Sequence, residues 1–318
     1  MQSIEFCAGA GGQALGLEQA GFRHAALVEI ESDFSKTLLL NRPDWDVRTS
    51  DMTYFDGAPF RGVDLFAAGL PCPPFSAAGK QLGEQDERNL FPAALRLIDQ
   101  IRPRAIMIEN VRGFLSAIFE DYRLSLRQQL EKLGYKTDWR LLNASDFGVP
   151  QLRPRVVIVA MKADVWDCFD WPTPLPHNPP SVGSTLLDLM AAKGWHGARG
   201  WAQRANDIAP TIVGGSKKHG GPDLGPTRAR AAWATLGVEG RTIAEAAPEP
   251  DFVGMPRLTT RMVARIQGFP DSWQFYGRKT TAYRQIGNAF PPPVAKAVAT
   301  NIRIALAAHQ RIHAIRAA

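Results

Sequence analysis

Short apolar runs alternate with amphipathic stretches along the first 161 residues of the chain. The amphipathic stretches have helical periodicity, as in Phe91–Ile101. Short apolar runs separated by such helices are typical of α/β folds with a mostly parallel, doubly wound sheet. Ligands bind such sheets beyond the carboxyl ends of the strands. The runs that predict strands are Ser3–Cys7, His24–Glu29, Val63–Ala68, Ala105–Glu109 and Val156–Met161.

The regular pattern fades between residues 162 and 256, where 12 of the 28 glycines, 11 of the 24 prolines and five of the eight tryptophans lie. A disordered linker would not carry so many tryptophans, so we expect a smaller, loop-rich second domain. Eight Lys or Arg against three Asp or Glu between Lys193 and Arg241 give this region a basic face. Regular periodicity returns at Arg257, and a final helix is expected from about Val294, entered through Pro291–Pro293. We therefore divide the chain into residues 1–170, residues 171–280 and a C-terminal helical segment, 281–318.

Composition narrows the class of protein. The 318 residues are 45% hydrophobic, enough for a large core. Three cysteines without CxxC spacing argue against a disulfide framework or a zinc site, and we expect no metal. The net charge of +6 permits a polyanionic partner without establishing one. The N-terminal pattern predicts no signal peptide and no run reaches membrane-spanning length, so a cytoplasmic protein is expected.

The third apolar run leads into a cysteine with prolines on both sides, in the sequence GLPCPPFS from Gly69 to Ser76. Prolines fix φ and remove backbone donors, so the loop is stiff and presents Cys72 outward. A thiol presented in this way is a candidate nucleophile. A lone cysteine is more often a buried core residue, and the remaining motifs decide between the two interpretations.

A glycine-rich turn follows the first predicted strand, from Ala8 to Gly16. Glycines let the backbone approach a ligand closely, and the following helix presents free amides. Glu29 ends the second strand, where an acid is placed to bind ribose hydroxyls, and Asp51 is a candidate acceptor for an adenine amino group. A nucleoside-containing cofactor follows. NAD in a dehydrogenase is the alternative, but no hydride-transfer machinery is visible downstream.

Two further segments contain candidate catalytic groups. Glu109 ends a predicted strand, although an acid there also serves as a helix cap. In the run QLRPR, the side chains of Gln151, Arg153 and Arg155 share one face of an extended segment. Two guanidinium groups on one face suit a planar, oxygen-bearing ring or a phosphate. A solvated face is the alternative for this segment taken alone.

Six motifs, taken in order, resemble the DNA (cytosine-5)-methyltransferase family across nearly all of residues 1–161 and 257–300. They are the turn Cys7–Gly12, the segment from Pro71-Cys72 through Phe75-Ser76 and Gly79–Gln81, Glu109–Val111, Gln151–Arg155, Arg257–Pro270 with its Gln267–Pro270, and Gln285–Ala289. The chain departs from the family at three places. Cys7 stands where an aromatic residue usually lies against the adenine, Pro73-Pro74 replaces Gln-Gly, and Met262 replaces a Glu after Arg261.

The resemblance implies S-adenosylmethionine as cofactor, S-adenosylhomocysteine as product, and C5 of cytosine in a specific duplex DNA sequence as acceptor. A Cys72 thiolate would add at C6, Glu109 would hold N3, and Arg155 would hold O2 with support from Arg153. Because C5 is inaccessible in a duplex, the base must be flipped into the cleft between the two lobes. On this basis residues 1–170 form a Rossmann-like catalytic domain, 171–280 form a target-recognition domain, and the helical segment 281–318 packs back on the catalytic domain.

The resemblance also assigns binding residues. Ile30 would pack on the adenine and Met52 would join Asp51 at its edge. The cofactor residues are Cys7, Ala8, Gly9, Ala10, Gly11, Gly12, Glu29, Ile30, Asp51, Met52, Pro71, Leu90 and Asn288. The expected DNA contacts are Ser76, Lys80, Gln81 and Arg88, together with Lys217, Lys218, Arg228 and Arg230, which we expect in turns rather than helices.

Other functions stay open at this point. A related branch methylates cytosine in transfer RNA, but Ser76, where that branch has Thr, and the basic stretch Lys193–Arg241 favour DNA. A DNA-binding regulator with an inactive fold is disfavoured by the intact Cys72, Glu109 and Arg155. We expect a monomer that acts on double-stranded DNA, with no membrane partner, and a cognate restriction endonuclease is a possible partner.

Overall fold

The computed structural model describes residues 1–71, 89–215 and 221–317. Its central element is one seven-stranded sheet with the strand order β3-β2-β1-β4-β5-β7-β6. Strands β1 to β5 are mutually parallel, whereas β7 runs antiparallel to both of its neighbours. The strands are β1 Gln2–Phe6, β2 Arg23–Glu29, β3 Val47–Thr49, β4 Leu65–Gly69, β5 Ala105–Val111, β6 Tyr135–Asn143 and β7 Pro154–Lys162.

Both faces of the sheet are covered by helices. On one face, Phe66 and Ile106 pack with Leu97 of α3 and Leu130 of α4. The helices in the described residues are α1 Gly12–Gln19, α2 Ser32–Asn41, α3 Phe91–Ile101, α4 Glu120–Lys132, α5 Ala163–Trp166, α6 Val182–Met190, α7 Ala198–Arg204, α8 Thr227–Thr235, α9 Thr260–Ile266, α10 Lys279–Asn288 and α11 Pro292–Ala317. The expected doubly wound α/β fold is confirmed, and all five predicted strands are present.

The two edge strands, β3 and β6, were not predicted. Strand β3 has only three residues, none of them buried, so it has no apolar run to detect. Strand β6 has the sequence YKTDWRLLN, in which only Tyr135 and Leu142 are buried. Its position comes from the antiparallel ladder with β7, which no local pattern encodes.

Helix α11 covers the second face of the sheet. Its Val298 and Ile302 pack in one cluster with Met107 and Val159 of the sheet. Gly16 of α1 lies so close that a Cβ there would be 2.5 Å from the Cβ of Ala295. The helix begins at Pro292, two residues before the expected start, because proline has helical φ and needs no donor in the first turn.

The tryptophans of the middle region form a core, as expected for an ordered region. Trp201 and Trp233 are fully buried, and Trp195 is 6% exposed. They belong to the same apolar cluster as Leu15 of α1 and Leu38 of α2. The region therefore packs directly on the sheet-bearing part, and the boundaries at 170 and 280 stay a prediction.

Candidate active site

Four neighbouring strands bring the candidate residues to one edge of the sheet. Phe6 pairs with Val28 on one side and with Ala68 on the other. Gly69 pairs with Glu109 in turn. The glycine turn after β1, the acid Glu29 at the end of β2, the segment after β4 and Glu109 near the end of β5 are therefore adjacent. This is the edge at which parallel sheets bind ligands.

The turn after β1 is held open by positive φ angles and by a carboxylate. Cys7, Gly9 and Gly11 have φ values of 53°, 57° and 86°. The backbone N–H of Gly9 donates to Glu29 Oε2 at 2.7 Å, and the N–H of Glu31 donates to Oε1 at 2.8 Å. Burial raises the pKa of Glu29, and these backbone hydrogen bonds oppose that rise. Glu29 thus orders the turn that the sequence assigned to cofactor binding.

The glycines of the turn differ in what surrounds them. A Cβ on Gly9 would meet no atom within 4 Å, so the turn faces open space there. A Cβ on Gly12 would be 2.2 Å from the carbonyl oxygen of Phe290, so this glycine permits close packing against the C-terminal segment. Trp273 Nε1 donates to the carbonyl oxygen of Ala10 at 3.1 Å. Sequence reasoning missed this contact, since Trp273 lies 263 residues along the chain from its partner.

An apolar wall and several polar groups surround the open turn. Ile30 is 62% exposed beside Glu29, and Met52 is buried with its Sδ 3.5 Å from Cys7 Sγ. Asp51 Oδ1 accepts from the backbone N–H of Thr53 at 2.8 Å. An exposed apolar side chain, an open glycine turn and a strand-end carboxylate fit a nucleoside-containing cofactor.

The other assigned cofactor residues lie around this edge. Ala8 and Ala10 are buried in the turn, and Leu90 is partly buried just before α3. Pro71 is exposed after β4, and the exposed Asn288 at the end of α10 donates from Nδ2 to the carbonyl oxygen of Gly215 at 3.1 Å. The ring of Phe6, the residue before Cys7, is fully buried and stacks on Phe66 at 5.1 Å between centroids, so it faces the core.

A buried ion pair lies beside the cofactor turn. Arg155 Nε is 2.8 Å from Glu109 Oε1, and their side chains are 14% and 9% exposed. The antiparallel register of β5 and β7 produces this pair by placing Arg155 opposite Val111. Burial raises the pKa of Glu109, and the positive charges of Arg155 and Arg153 oppose that rise without cancelling it. The pair offers a carboxyl group that holds its proton unusually well and a fixed guanidinium donor.

Arg153 and Gln151 make interior contacts. Arg153 is fully buried and donates to the carbonyl oxygens of Ile212, Gly287 and Ala289 at 2.7, 2.8 and 3.1 Å. Gln151 Oε1 accepts from the backbone N–H of Ile212 at 2.9 Å. The alternative of a solvated face is therefore wrong for Gln151 and Arg153, which are both fully buried, and Arg153 binds main-chain carbonyls. Backbone acceptors this far away in the chain leave no local sequence pattern.

Several of the predicted functional residues lie outside the described residues. They are the candidate nucleophile Cys72 and the expected DNA contacts Ser76, Lys80, Gln81, Arg88, Lys217 and Lys218. Arg228 and Arg230 lie in the first turn of α8, so the expected turn conformation is wrong for them. Pro226 precedes this helix, and the alanines that follow favour it. Arg228 is exposed, and Arg230 Nη2 donates to Thr227 Oγ1 at 3.3 Å.

Within the described ranges, no group of His, Cys, Asp and Glu side chains is arranged to hold a metal ion. Across the same ranges, no helix is long and apolar enough to cross a membrane.

The sheet, the open turn and the Glu109–Arg155 pair are typical of a Rossmann-like enzyme, and the turn fits a nucleoside-containing cofactor. Residues 1–303 match the family model of the C-5 cytosine-specific DNA methylases, and the chain belongs to that family. It is 55% identical to the Type II methyltransferase M.NaeI of Lentzea aerocolonigenes over 96% of this chain and 75% of that protein. It is 53% identical to the Type II methyltransferase M.NgoMIV of Neisseria gonorrhoeae over 96% of this chain and 97% of that protein.

Solved structures show the same fold at low sequence identity. A Dnmt2 variant from Spodoptera frugiperda superposes with a TM-score of 0.65 at 20% identity, covering 96% of this chain and 99% of that chain. The Dnmt2 methyltransferase of S. pombe superposes with a TM-score of 0.61 at 17% identity, covering 97% and 99%. The expected methyltransferase fold and enzyme family are therefore confirmed.

Proposed function

We propose that this enzyme transfers a methyl group from S-adenosylmethionine to C5 of a flipped-out cytosine in a specific duplex DNA sequence. The observation that supports it most is the buried Glu109–Arg155 pair, with Oε1 and Nε 2.8 Å apart. It lies at the sheet edge that also carries the glycine turn and the segment leading to Cys72. Family membership supplies the reaction class, and this pair supplies groups that match the edge of a pyrimidine.

The cofactor would lie on the open turn. Glu29 would meet the ribose hydroxyls, Ile30 would cover the adenine, and Asp51 with Met52 would meet its edge. The supporting geometry is the open space beside Gly9 and the 62% exposure of Ile30. When bound, S-adenosylmethionine supplies an electrophilic methyl group.

Cys72 would make the cytosine nucleophilic. Its thiolate adds to C6, which leaves C5 enamine-like and places negative charge on the ring. A thiol at its ordinary pKa is only a few per cent ionised at neutral pH, but the thiolate is intrinsically a strong nucleophile. Cys72 follows Pro71 after β4, beyond the strand end that pairs with Glu109.

Glu109 and Arg155 would stabilise the ring during attack. Protonated Glu109 donates to N3, and the raised pKa that burial gives this carboxyl keeps the proton available at higher pH than in an ordinary glutamic acid. Arg155 donates to O2 from a guanidinium whose orientation its Glu109 hydrogen bond fixes. After C5 accepts the methyl group, water suffices as the base that removes the C5 proton, and the C6–Sγ bond breaks to release Cys72.

The DNA would lie across the basic middle region. Arg228 is exposed on α8, and guanine offers two acceptors to an arginine in the major groove. Lys217 and Lys218 would meet phosphates. Because the relatives named above are Type II methyltransferases, we also propose that the enzyme belongs to a restriction–modification system. We propose separately that it acts on DNA as a monomer.

Labelled methyl transfer to duplex DNA and to transfer RNA, measured in parallel, tests the proposal. We expect transfer to DNA only, and none with Cys72→Ser. A duplex with 5-fluorocytosine at the target position tests the covalent step, because fluorine cannot leave as a cation. It should trap a denaturation-resistant adduct with the wild type. Transfer to RNA alone, or no transfer with intact cofactor binding, would replace the proposal by an RNA enzyme or a binding protein.

A further inference from the structure

We infer that Arg153 is a positioning residue that joins the DNA-recognition segment to the cofactor site, rather than a group that touches the target base. The inference rests on the proposed function, since it names what the two joined segments bind. Arg153 lies in the motif that also supplies Arg155, so the sequence alone assigns both guanidinium groups to one ring. The contacts of the two side chains are different.

The guanidinium of Arg153 connects three chain segments. Arg153 lies directly before β7 with no exposed surface, and its guanidinium donates to Ile212 O, Gly287 O and Ala289 O. Ile212 leads into Val213–Gly215, directly before Ser216-Lys217-Lys218 of the basic stretch Lys193–Arg241. Gly287 and Ala289 flank Asn288, which the resemblance assigns to the cofactor pocket. One fully buried side chain therefore holds the approach to the recognition stretch and the cofactor-side turn to the catalytic sheet.

The two joined segments also contact each other directly. A Cβ on Gly287 would lie 2.5 Å from the Cα of Gly214, and a Cβ on Gly214 would lie 2.6 Å from Asn288 Oδ1. Asn288 Nδ2 donates across the same crossing to Gly215 O at 3.1 Å. Neither of the two chain segments at this crossing, the one at Gly214 or the one at Gly287, has room to move toward the other. A displacement of one therefore displaces the other.

Other buried amides strengthen this junction. Gln151 Nε2 donates to Gln267 Oε1 at 2.8 Å, and Gln267 Nε2 donates to Ala289 O at 2.6 Å. The carbonyl oxygen of Ile212 accepts a hydrogen bond from Arg153, and the backbone N–H of Ile212 donates to Gln151 Oε1. A buried network of this kind has one low-energy arrangement, because every donor left unpaired is costly. Arg153 at its centre has the geometry of a fixed spacer between the two sites.

This role predicts an effect that appears without any DNA. We would measure the affinity of the intact protein for S-adenosylhomocysteine by calorimetry with no nucleic acid present. Arg153→Met keeps an unbranched apolar stem but removes the donor to Ile212 O and Gly287 O and one of the two donors to Ala289 O, and we expect at least a tenfold weaker affinity. Arg153→Lys retains a charged donor without the planar fork and should recover part of that loss. Arg155→Met, which breaks the pair with Glu109, should bind the product within twofold of wild type.

A base-contacting Arg153 gives the opposite result. Arg153→Met would then bind S-adenosylhomocysteine like the wild type and would lose only methyl transfer, and that outcome would overturn the inference. Wild-type methyl transfer to DNA, measured on the same preparation, reports separately on the proposed function.

A second pair of variants tests the crossing if Arg153→Met does not fold. Gly214→Ala inserts a methyl group 2.6 Å from Asn288 Oδ1 and 2.7 Å from the carbonyl oxygen of Arg284, yet it changes no side chain that is assigned to ligand or base. Gly200→Ala in α7 is the matched control, because its Cβ would be 3.6 Å from the nearest neighbour, Arg204 Nη1. We expect weaker S-adenosylhomocysteine binding and a higher KM for DNA with Gly214→Ala, and wild-type values with Gly200→Ala. Equal behaviour of the two alanine variants would overturn the inference.

Discussion

Replacing Glu29 should weaken cofactor binding while leaving the Glu109–Arg155 pair intact. The carboxylate accepts the Gly9 N–H at 2.7 Å and the Glu31 N–H at 2.8 Å, and the residue is only 5% exposed. In Glu29→Ala both donors lose a charged acceptor, and the bound ribose loses its own. A hydrogen bond to a charged group is worth about 1.5–3 kcal/mol, so we expect roughly 10- to 150-fold weaker binding of S-adenosylhomocysteine.

Calorimetry at several pH values tests the direction in which the affinity for S-adenosylhomocysteine should change with pH. Burial raises the pKa of Glu29 in the folded protein, and the ionised form is the one that accepts both N–H groups. Affinity should therefore be full above that raised pKa and should fall as acidification protonates the carboxyl. Glu29→Gln retains one acceptor and removes the titration, so its weaker affinity should change less with pH.

Glu31→Ala is the matched control for the Glu29 variants. It removes a neighbouring carboxylate but keeps the backbone N–H that donates to Glu29, so its affinity should stay close to wild type. The reasoning is refuted if Glu29→Ala binds the product with unchanged affinity, or if Glu31→Ala causes the same loss.

Three further predictions concern stability and recognition. Glu5 is fully buried in β1, and burial raises its pKa well above the ordinary value, so its contribution to stability is full below the ordinary pKa and is lost as pH rises through the raised pKa. Glu5→Gln should flatten this decline in the free energy of unfolding, measured by urea denaturation at several pH values, and an unchanged decline would exclude Glu5 as its source. Trp273→Phe removes the donor to Ala10 O, and chemical denaturation should show a loss of about 1 kcal/mol or more, with no loss meaning that the bond contributes nothing. Arg228→Ala or Arg230→Ala should relax or weaken site choice by about 1–3 kcal/mol per lost guanine contact, whereas Lys217→Ala with Lys218→Ala should lower affinity for all sequences and flatten the salt dependence; four silent substitutions in binding titrations would place recognition elsewhere.

The fold was predictable where local pattern and burial agree. Strands β1, β4 and β5 are buried on both faces because helices cover both, and the apolar residues that this burial requires are visible in the sequence. The edge strand β6 is half exposed, so its pattern resembles that of a polar loop. The first turn of α8 was missed for another reason, because the nearby glycines and prolines suggested turns whereas the alanines after Arg228 favour a helix.

The candidate site was likewise predictable only in part. The motifs identify Glu29, Glu109 and Arg155 because the chemistry requires those residue types at strand ends. The sequence does not contain the antiparallel register that brings Arg155 to Glu109. It also does not reveal that Arg153 binds carbonyls 59 and 134 residues away, since any residue provides a carbonyl. The positions of these side chains at strand ends were therefore predictable, whereas contacts to backbone acceptors were not.

Bisulfite sequencing of DNA from a host that expresses the protein tests the central claim most directly, because it reports both activity and target. We predict that cytosines in one short sequence context resist conversion when the wild-type protein is expressed, and that this resistance disappears with Cys72→Ser. Complete conversion with the wild-type protein, or equal protection by the serine variant, would contradict the assignment of a cysteine-dependent cytosine C5 methyltransferase.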